Sequence, residues 1–194
     1  MSDISSSSNS YLSFKVGEEL FSAHVSKVLN ILEMTKITKV PKAPPYMLGV
    51  INLRGTVLPV IDTRIKFDMP VTDYTSDTCI IVSEIQMDGE IVHVGALVDS
   101  VQEVLEISKD EILPPPSIGN RYRTDFIQGV MNVNEEFIML LDMDKVFSTE
   151  EVLSLKDTAR TGMKQKEEET RKAEAVSTAV PQQNDQETIN PKQQ

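Results

Sequence analysis

The chain has 194 residues and carries 19 basic and 30 acidic side chains, a formal net charge of −11. That balance argues against nucleic acid and against anionic membrane surfaces, both of which need a basic footprint. Cys79 is the only cysteine, so no intrachain disulfide can form, and no apolar run approaches the roughly 18 residues of a membrane span.

Residues 1–10 are Ser-rich, with neither a basic start nor an apolar stretch. They predict a disordered segment that is not a signal peptide, with the cytoplasm as the default location. Tyr11–Val16 and Leu20–Val25 read as a hairpin turned at Gly17. Val28, Leu29, Ile31 and Leu32 form a further strand, and Ile37–Val40 is extended. Pro41, Pro44 and Pro45 break regular structure, with a short helical turn expected over Pro45–Leu48. Two apolar runs, Gly49–Leu53 and Thr56–Ile61, then flank Arg54-Gly55 and predict a hairpin with one arginine at its tip. Pro59 has no N–H to donate, which favours an edge or irregular position. Residues 68–77 are a polar connection. Thr78–Ile85 and Ile91–Val98 form a hairpin turned at Asp88-Gly89, followed by Val101, Val104, Leu105 and Ile107. After Pro114–Pro116 comes a polar linker over 117–128, then a hairpin over Gly129–Asp142 turned near Asn134-Glu135. Ser148 and Glu151 have capping-box spacing, which predicts a helix over about 149–159. Residues 161–194 are polar and expected to be largely disordered. Residues 1–156 hold 23 acidic and 13 basic groups and 157–194 hold 7 and 6, so the acidity belongs to the folded part.

The chain repeats itself. With an offset of 80, Gly49–Phe67 lies over Gly129–Phe147 with Gly49/Gly129, Val50/Val130, Asn52/Asn132, Asp62/Asp142 and Phe67/Phe147 identical. With an offset of 73, the stretch from Val25 to Glu33 matches Val98 to Glu106. Each half runs hairpin, strand, proline break, hairpin, and about five short strands per half is the content of a small closed barrel. The expectation is mainly β: two similar barrels, about 11–67 and 78–147, packed through a shared apolar face. Gly49, Asn52 and Asp62 recur and are assigned first to architecture. Arg54, Gly55 and Arg64 are replaced by Asn134, Glu135 and Asp144, which makes Arg54 the leading functional candidate and Arg64 a second.

His24 and His93 are isolated from metal-ligand spacing, and there is no glycine-rich phosphate loop, nucleophile elbow or HExxH. The carboxylate pairs Glu18-Glu19, Glu135-Glu136 and Glu150-Glu151 fall at turns or a helix start, where solvation explains them. The reading is a non-enzyme without cofactor or metal.

The segments Gly-Val-x-Asn-Leu-Arg-Gly (49–55), Pro-Val-Ile-Asp (59–62), Arg64-Ile-Lys-Phe67 and Val-Asp-x-Val (98–101) resemble the CheW family of bacterial chemotaxis coupling proteins, over about 11–155. The resemblance implies two five-stranded SH3-like barrels around a common core and no catalysis. It implies an adaptor that ties the cytoplasmic hairpin tip of chemoreceptors to the regulatory domain of the histidine kinase CheA, clustered at membrane-bound receptor arrays without entering the membrane. Carried over by position, Val28, Ile31, Arg54, Val98, Val101 and Val104 would border a groove for the receptor helix. Asn52, Arg54 and Gly55 would form the hairpin tip, and Arg64, Ile65, Lys66 and Phe67 would face the kinase. Two positions depart from the usual pattern: Asn30 stands where a glutamate is usual, and Thr63 interrupts the usual Asp-Leu-Arg. A rival from another class is a CheW-like array scaffold that recruits proteins through its tail without activating the kinase. A third, a small barrel enzyme or ligand binder, would need a buried polar pocket that no spacing predicts.

Overall fold

The computed structural model describes residues 9–87, 89–115 and 125–147. The helix expected over 149–159, the tail 161–194, most of the 1–10 segment and most of the 117–128 linker lie outside the described residues. Ten strands are present among the described residues: β1 (Ser10–Val16), β2 (Glu19–His24), β3 (Val28–Glu33), β4 (Met47–Leu53), β5 (Thr56–Asp62), β6 (Cys79–Met87), β7 (Glu90–Val98), β8 (Ser100–Glu106), β9 (Ile127–Val133) and β10 (Glu136–Leu141). Two one-turn helices follow the repeated hairpins, α1 (Thr63–Lys66) and α2 (Met143–Val146).

The strands form two five-stranded sheets, ordered β8-β1-β2-β10-β9 and β3-β6-β7-β5-β4. The sheets superpose on the sequence repeat: β1 to β5 correspond in order to β6 to β10. The barrels are not its two halves, however, and the division at 11–67 and 78–147 does not hold. After β2 the chain passes through a 3-10 turn at Val25–Lys27 into the other sheet, and after β7 it returns through Asp99. Each barrel thus takes its first hairpin from one half and its other three strands from the other half. Each barrel joins them through one antiparallel ladder, Leu12 opposite Val104 and Ile31 opposite Ile81, and one parallel ladder, Met139 opposite Phe21 and Ile61 opposite Ala96. Parallel neighbours cannot be joined by a tight turn, so a reading of successive hairpins does not reveal them.

Burial explains the arrangement. Ile51, Leu58, Val60, Ile80, Val82 and Leu97 fill one barrel, and Tyr11, Leu105, Met131, Ile138 and Leu140 fill the other. The alternate positions, Leu12, Phe14, Val16, Phe21 and Ala23 from one sheet and Ile61, Ile81, Ile85, Val94, Ala96 and Val98 from the other, meet in a third layer between the barrels. Side chains alternate across a strand, so Ile80-Ile81-Val82 reaches both layers and must be apolar throughout.

The repeated polar residues do equivalent work. Both hairpins turn through two left-handed residues, Arg54 and Gly55 (φ 53° and 86°) and Asn134 and Glu135 (53° and 68°), as a type I′ turn requires. Val50 exchanges backbone hydrogen bonds with Thr38, and Val130 with Leu113. A Cβ on Gly49 would strike the Thr38 carbonyl, and one on Gly129 would lie 2.5 Å from Ile112 Cγ2 and 2.7 Å from the Leu113 oxygen. Asp62 and Asp142 cap α1 and α2 by accepting from Arg64 N–H (2.9 Å) and Lys145 N–H (3.3 Å).

Two local expectations are corrected. Pro45–Leu48 is not a helical turn: the Met47 N–H closes a single four-residue turn onto the Pro44 carbonyl at 2.9 Å, and β4 already begins at Met47. Pro59 sits on an interior strand rather than an edge. Its missing N–H falls one residue before the β5–β7 ladder begins at Val60, where no ladder bond is lost.

Two outcomes are expected. A fragment ending at residue 70 holds no complete sheet and stays unfolded by circular dichroism, while co-expression with the remainder restores the β signal; independent folding of that fragment would contradict the strand exchange. Gly129→Ala lowers stability in urea unfolding by about 3 kcal/mol.

Candidate functional site

β3 and β8 are equivalent edge strands of the two sheets, one on each barrel. Ile31 and Val104 occupy matching positions and are 43% and 55% exposed, with Leu29 beside Ile31 also exposed. Val28 and Val101 match in the same way and are half-buried against the layer between the barrels. Cys79 faces Glu33 of β3 in the ladder, and its thiol meets the Val101 backbone, which brings the start of β8 beside the β3–β6 edge. Burial pushes that thiol's pKa up, with the Val101 contact opposing the shift, so Cys79 packs as a small apolar residue. Four of the groove candidates therefore pair off at matching positions of the two edge strands, Val28 with Val101 and Ile31 with Val104. Val98 does not: it is fully buried in the shared layer and has no surface to offer.

Both edge strands pair irregularly with their neighbours. β3 shifts register between Val28 and Asn30, and Asn30 Oδ1 accepts the Ile31 N–H at 2.9 Å. β8 pairs irregularly with β1, where the Ser13 hydroxyl donates to the Glu103 carbonyl at 2.8 Å and accepts its N–H at 3.1 Å. Such features blunt strand-to-strand addition and leave the apolar side chains as the accessible chemistry.

At the hairpin tip, Asn52 Oδ1 accepts the Gly55 N–H at 2.8 Å and holds the turn. Arg54 is exposed and has no ion pair among the described residues. It is a cation free to meet a partner.

Arg64 is a correction. The resemblance implies a kinase-facing residue, but the side chain is completely buried. Its Nη2 lies 2.8 Å from Asp99 Oδ1, its Nη1 donates to the Thr72 carbonyl (2.6 Å) and hydroxyl (2.7 Å), and the guanidinium sits 5.5 Å from the Tyr74 ring centre. Asp99 Oδ2 accepts the Gly17 N–H at 2.6 Å. Arg64 thus ties α1 of one barrel to the crossover at Asp99 and to the β1–β2 turn of the other. Burial and Asp62 push the Tyr74 hydroxyl's pKa up, and Arg64 opposes them in part. Phe67 is likewise engaged inward, with its ring centre 5.2 Å from both Phe21 and Phe126. Ile65 and Lys66 are half-buried, and the Lys66 ammonium lies over the Tyr46 ring at 4.8 Å.

The second half carries the same brace with its charges exchanged. Asp144, the counterpart of Arg64, receives Lys27 Nζ at 2.7 and 2.9 Å and the Gln86 N–H at 2.8 Å. Lys27 lies in the other crossover, next to the counterpart of Asp99. Replacement of Arg64 by Asp144 therefore reflects a swapped ion pair, not a released function. Asp99, Lys27 and Asp144 were missed: the repeat sets Asp99 over Ser26 and Lys27 over Ser100, so the partner charge is displaced by one position and the alignment shows only the inversion of Arg64 to Asp144. His24 and His93 lie on different sheets, His24 Nδ1 2.7 Å from Ser26 Oγ and His93 Nε2 3.9 Å from Glu84.

The family model for the CheW-like domain matches residues 10–151. The chain belongs to the CheW family. It is 34% identical to the chemotaxis protein CheW of Rhizobium meliloti over 140 residues, 72% of this chain and 88% of that protein. It is 31% identical to CheW of Klebsiella aerogenes over 151 residues, 78% and 89% of the two chains. The crystal structure of the scaffolding protein TtCheW from Thermoanaerobacter tengcongensis matches with a TM-score of 0.67 at 27% identity, covering 78% of this chain and 95% of that one. These relatives are chemotaxis and scaffolding proteins, and no helix among the described residues is long and apolar enough to cross a membrane.

Removing Arg64 leaves Asp99 facing a buried gap. Arg64→Ala is expected to lower stability by about 3 kcal/mol in chemical unfolding, with the paired change Arg64→Met/Asp99→Leu recovering much of it. An unaltered midpoint for Arg64→Ala would return Arg64 to the list of contact residues.

Proposed function

We propose that this CheW-family chain is a non-enzymatic adaptor that links chemoreceptor cytoplasmic tips to the regulatory domain of CheA and supports receptor control of the kinase, in the cytoplasm beside membrane-bound arrays. The observation that carries the reading is the pair Ile31 and Val104: two exposed aliphatic side chains at matching positions on the edge strands of both barrels, above the half-buried Val28 and Val101. An amphipathic receptor helix laid along such a seam would cover apolar area from both barrels at once. Arg54, on a rigid turn, supplies the charged contact where receptor and kinase meet. Ile65, Lys66 and Phe67, all half-buried, are the members of the 64–67 stretch with surface left for a kinase contact.

The reading makes separable demands. Ile31→Asp and Val104→Asp should each weaken capture of a purified receptor hairpin at least tenfold without loss of fold. Arg54→Ala should retain receptor capture but reduce receptor-dependent phosphorylation in a reconstituted assay with CheA. Full activation by Arg54→Ala would remove that residue from the mechanism. Retained capture by both aspartate variants would move the receptor site elsewhere.

A further inference from the structure

Residues 35–43 run in triplets, Thr35-Lys36-Ile37, Thr38-Lys39-Val40 and Pro41-Lys42-Ala43. The third member of each triplet turns inward. Ile37 packs on the interior of the barrel formed by β3 to β7, and Val40 and Ala43 pack on the layer between the barrels. The middle member is always an exposed lysine, and none of the three has an ion pair among the described residues. The backbone fixes this row. Thr38 and Val50 exchange two hydrogen bonds of 2.9 Å, which lays the segment antiparallel along the outer edge of β4. Pro41 and Lys42 then turn the chain, with the Ala43 N–H donating to the Val40 carbonyl at 3.4 Å. Lys42 holds φ 62° there, a left-handed setting that glycine or asparagine takes at less cost. At the far end Lys66 of α1 adds a further cation, over the Tyr46 ring at 4.8 Å. Between Met34 and Phe67 the one carboxylate is Asp62, buried and engaged as the α1 cap, in a chain of net charge −11. The matching place in the second half, before the bridge from Leu113 to Val130, holds Lys109, Asp110 and Glu111, so the fold itself does not call for a row of lysines.

We propose that this lysine row is a docking track for the acidic face of an α-helix in a partner protein. An extended chain advances about 3.3 Å per residue, so every third residue recurs after about 10 Å. A helix rises about 1.5 Å per residue, so carboxylates seven residues apart lie on nearly one face and recur after about 10.5 Å. Lys36 and Lys39 meet two successive carboxylates of such a face, and Lys42, past the turn, reaches the next. A strand cannot take the place of the helix, because residues 35–43 already cover β4, and Pro41, Pro44 and Pro45 have no N–H to offer. Duplex nucleic acid fits poorly as well: its charges are packed at about one per 1.7 Å, and the net charge of −11 repels them. At physiological salt the screening length of about 8 Å isolates the row from carboxylates elsewhere on the chain, so local complementarity decides the contact. The track runs along the side of β4 rather than through the turn at Arg54, and the inference is independent of the adaptor reading.

Fluorescence anisotropy of the full chain at about 0.15 M salt tests it. The probe is a labelled helical peptide with a glutamate at every seventh position and no other charge. It should bind the wild type. Lys36→Gln/Lys39→Gln/Lys42→Gln should weaken binding at least tenfold with an unchanged circular dichroism spectrum. Lys36→Arg/Lys39→Arg/Lys42→Arg, which keeps the charges, should bind as the wild type does, and so should Arg54→Ala. A peptide with the same glutamates spread around the helix should bind more weakly. No binding by the wild type, equal binding by the glutamine variant, or equal binding of the two peptides would overturn the proposal. So would loss of binding in Arg54→Ala, which would move the contact to the hairpin tip. Tighter binding of a single-stranded oligonucleotide of equal charge would also overturn it, leaving a general polyanion site.

Discussion

The structure depends on one apolar layer shared by two barrels. Phe14, Phe21, Ile81, Ala96 and Val98 come from both sheets and face one another rather than the barrel interiors. A strand in that position has no solvent face, so its sequence is apolar at successive residues, as in Ile80-Ile81-Val82. The exchange of hairpins between the halves follows from the same layer. Each crossover carries the chain past it, and neither barrel can close without strands from the other half. The barrels therefore form as one cooperative unit, with the layer buried only when both are present.

Around that layer, the repeat has been kept in backbone and varied in charge. The two braces at Arg64–Asp99 and Lys27–Asp144 do the same work with opposite polarity, each linking a helix after a hairpin to the opposite crossover. The same exchange on the surface makes the β4–β5 end basic and the β9–β10 end acidic. Between them, the matched edge strands β3 and β8 keep an aliphatic pair, Ile31 and Val104, in which the two halves agree. A symmetric apolar seam suits a helix lying across both barrels, and the asymmetric ends suit contacts that must be told apart.

Much of this was legible in the residues. Alternation and turn chemistry located nine of the strands closely, because type I′ turns and apolar alternation are local signals. The repeat separated Gly49, Gly129, Asp62 and Asp142 correctly as architecture. Strand exchange was not legible, since pairing between distant strands, antiparallel in β1–β8 and β3–β6 and parallel in β2–β10 and β5–β7, leaves no turn and no spacing to read. Arg64 was misread for a related reason. A residue replaced in the second copy looked dispensable to the fold, yet its partner had changed with it, and only the fold shows which positions are partners. Val98 was misread because an apolar residue on an edge-bound segment has the same sequence appearance whether it faces a groove or a core. Arg54 was placed well, since a tip between two strands has nowhere to be but solvent.

The most direct test of the adaptor reading is amide hydrogen exchange of this chain with and without a purified chemoreceptor cytoplasmic hairpin. Binding along the seam predicts added protection in β3 and β8 together, across Leu29–Leu32 and Gln102–Leu105, with the β9–β10 end unchanged. Protection confined to one barrel, or absent from both edge strands, would contradict it.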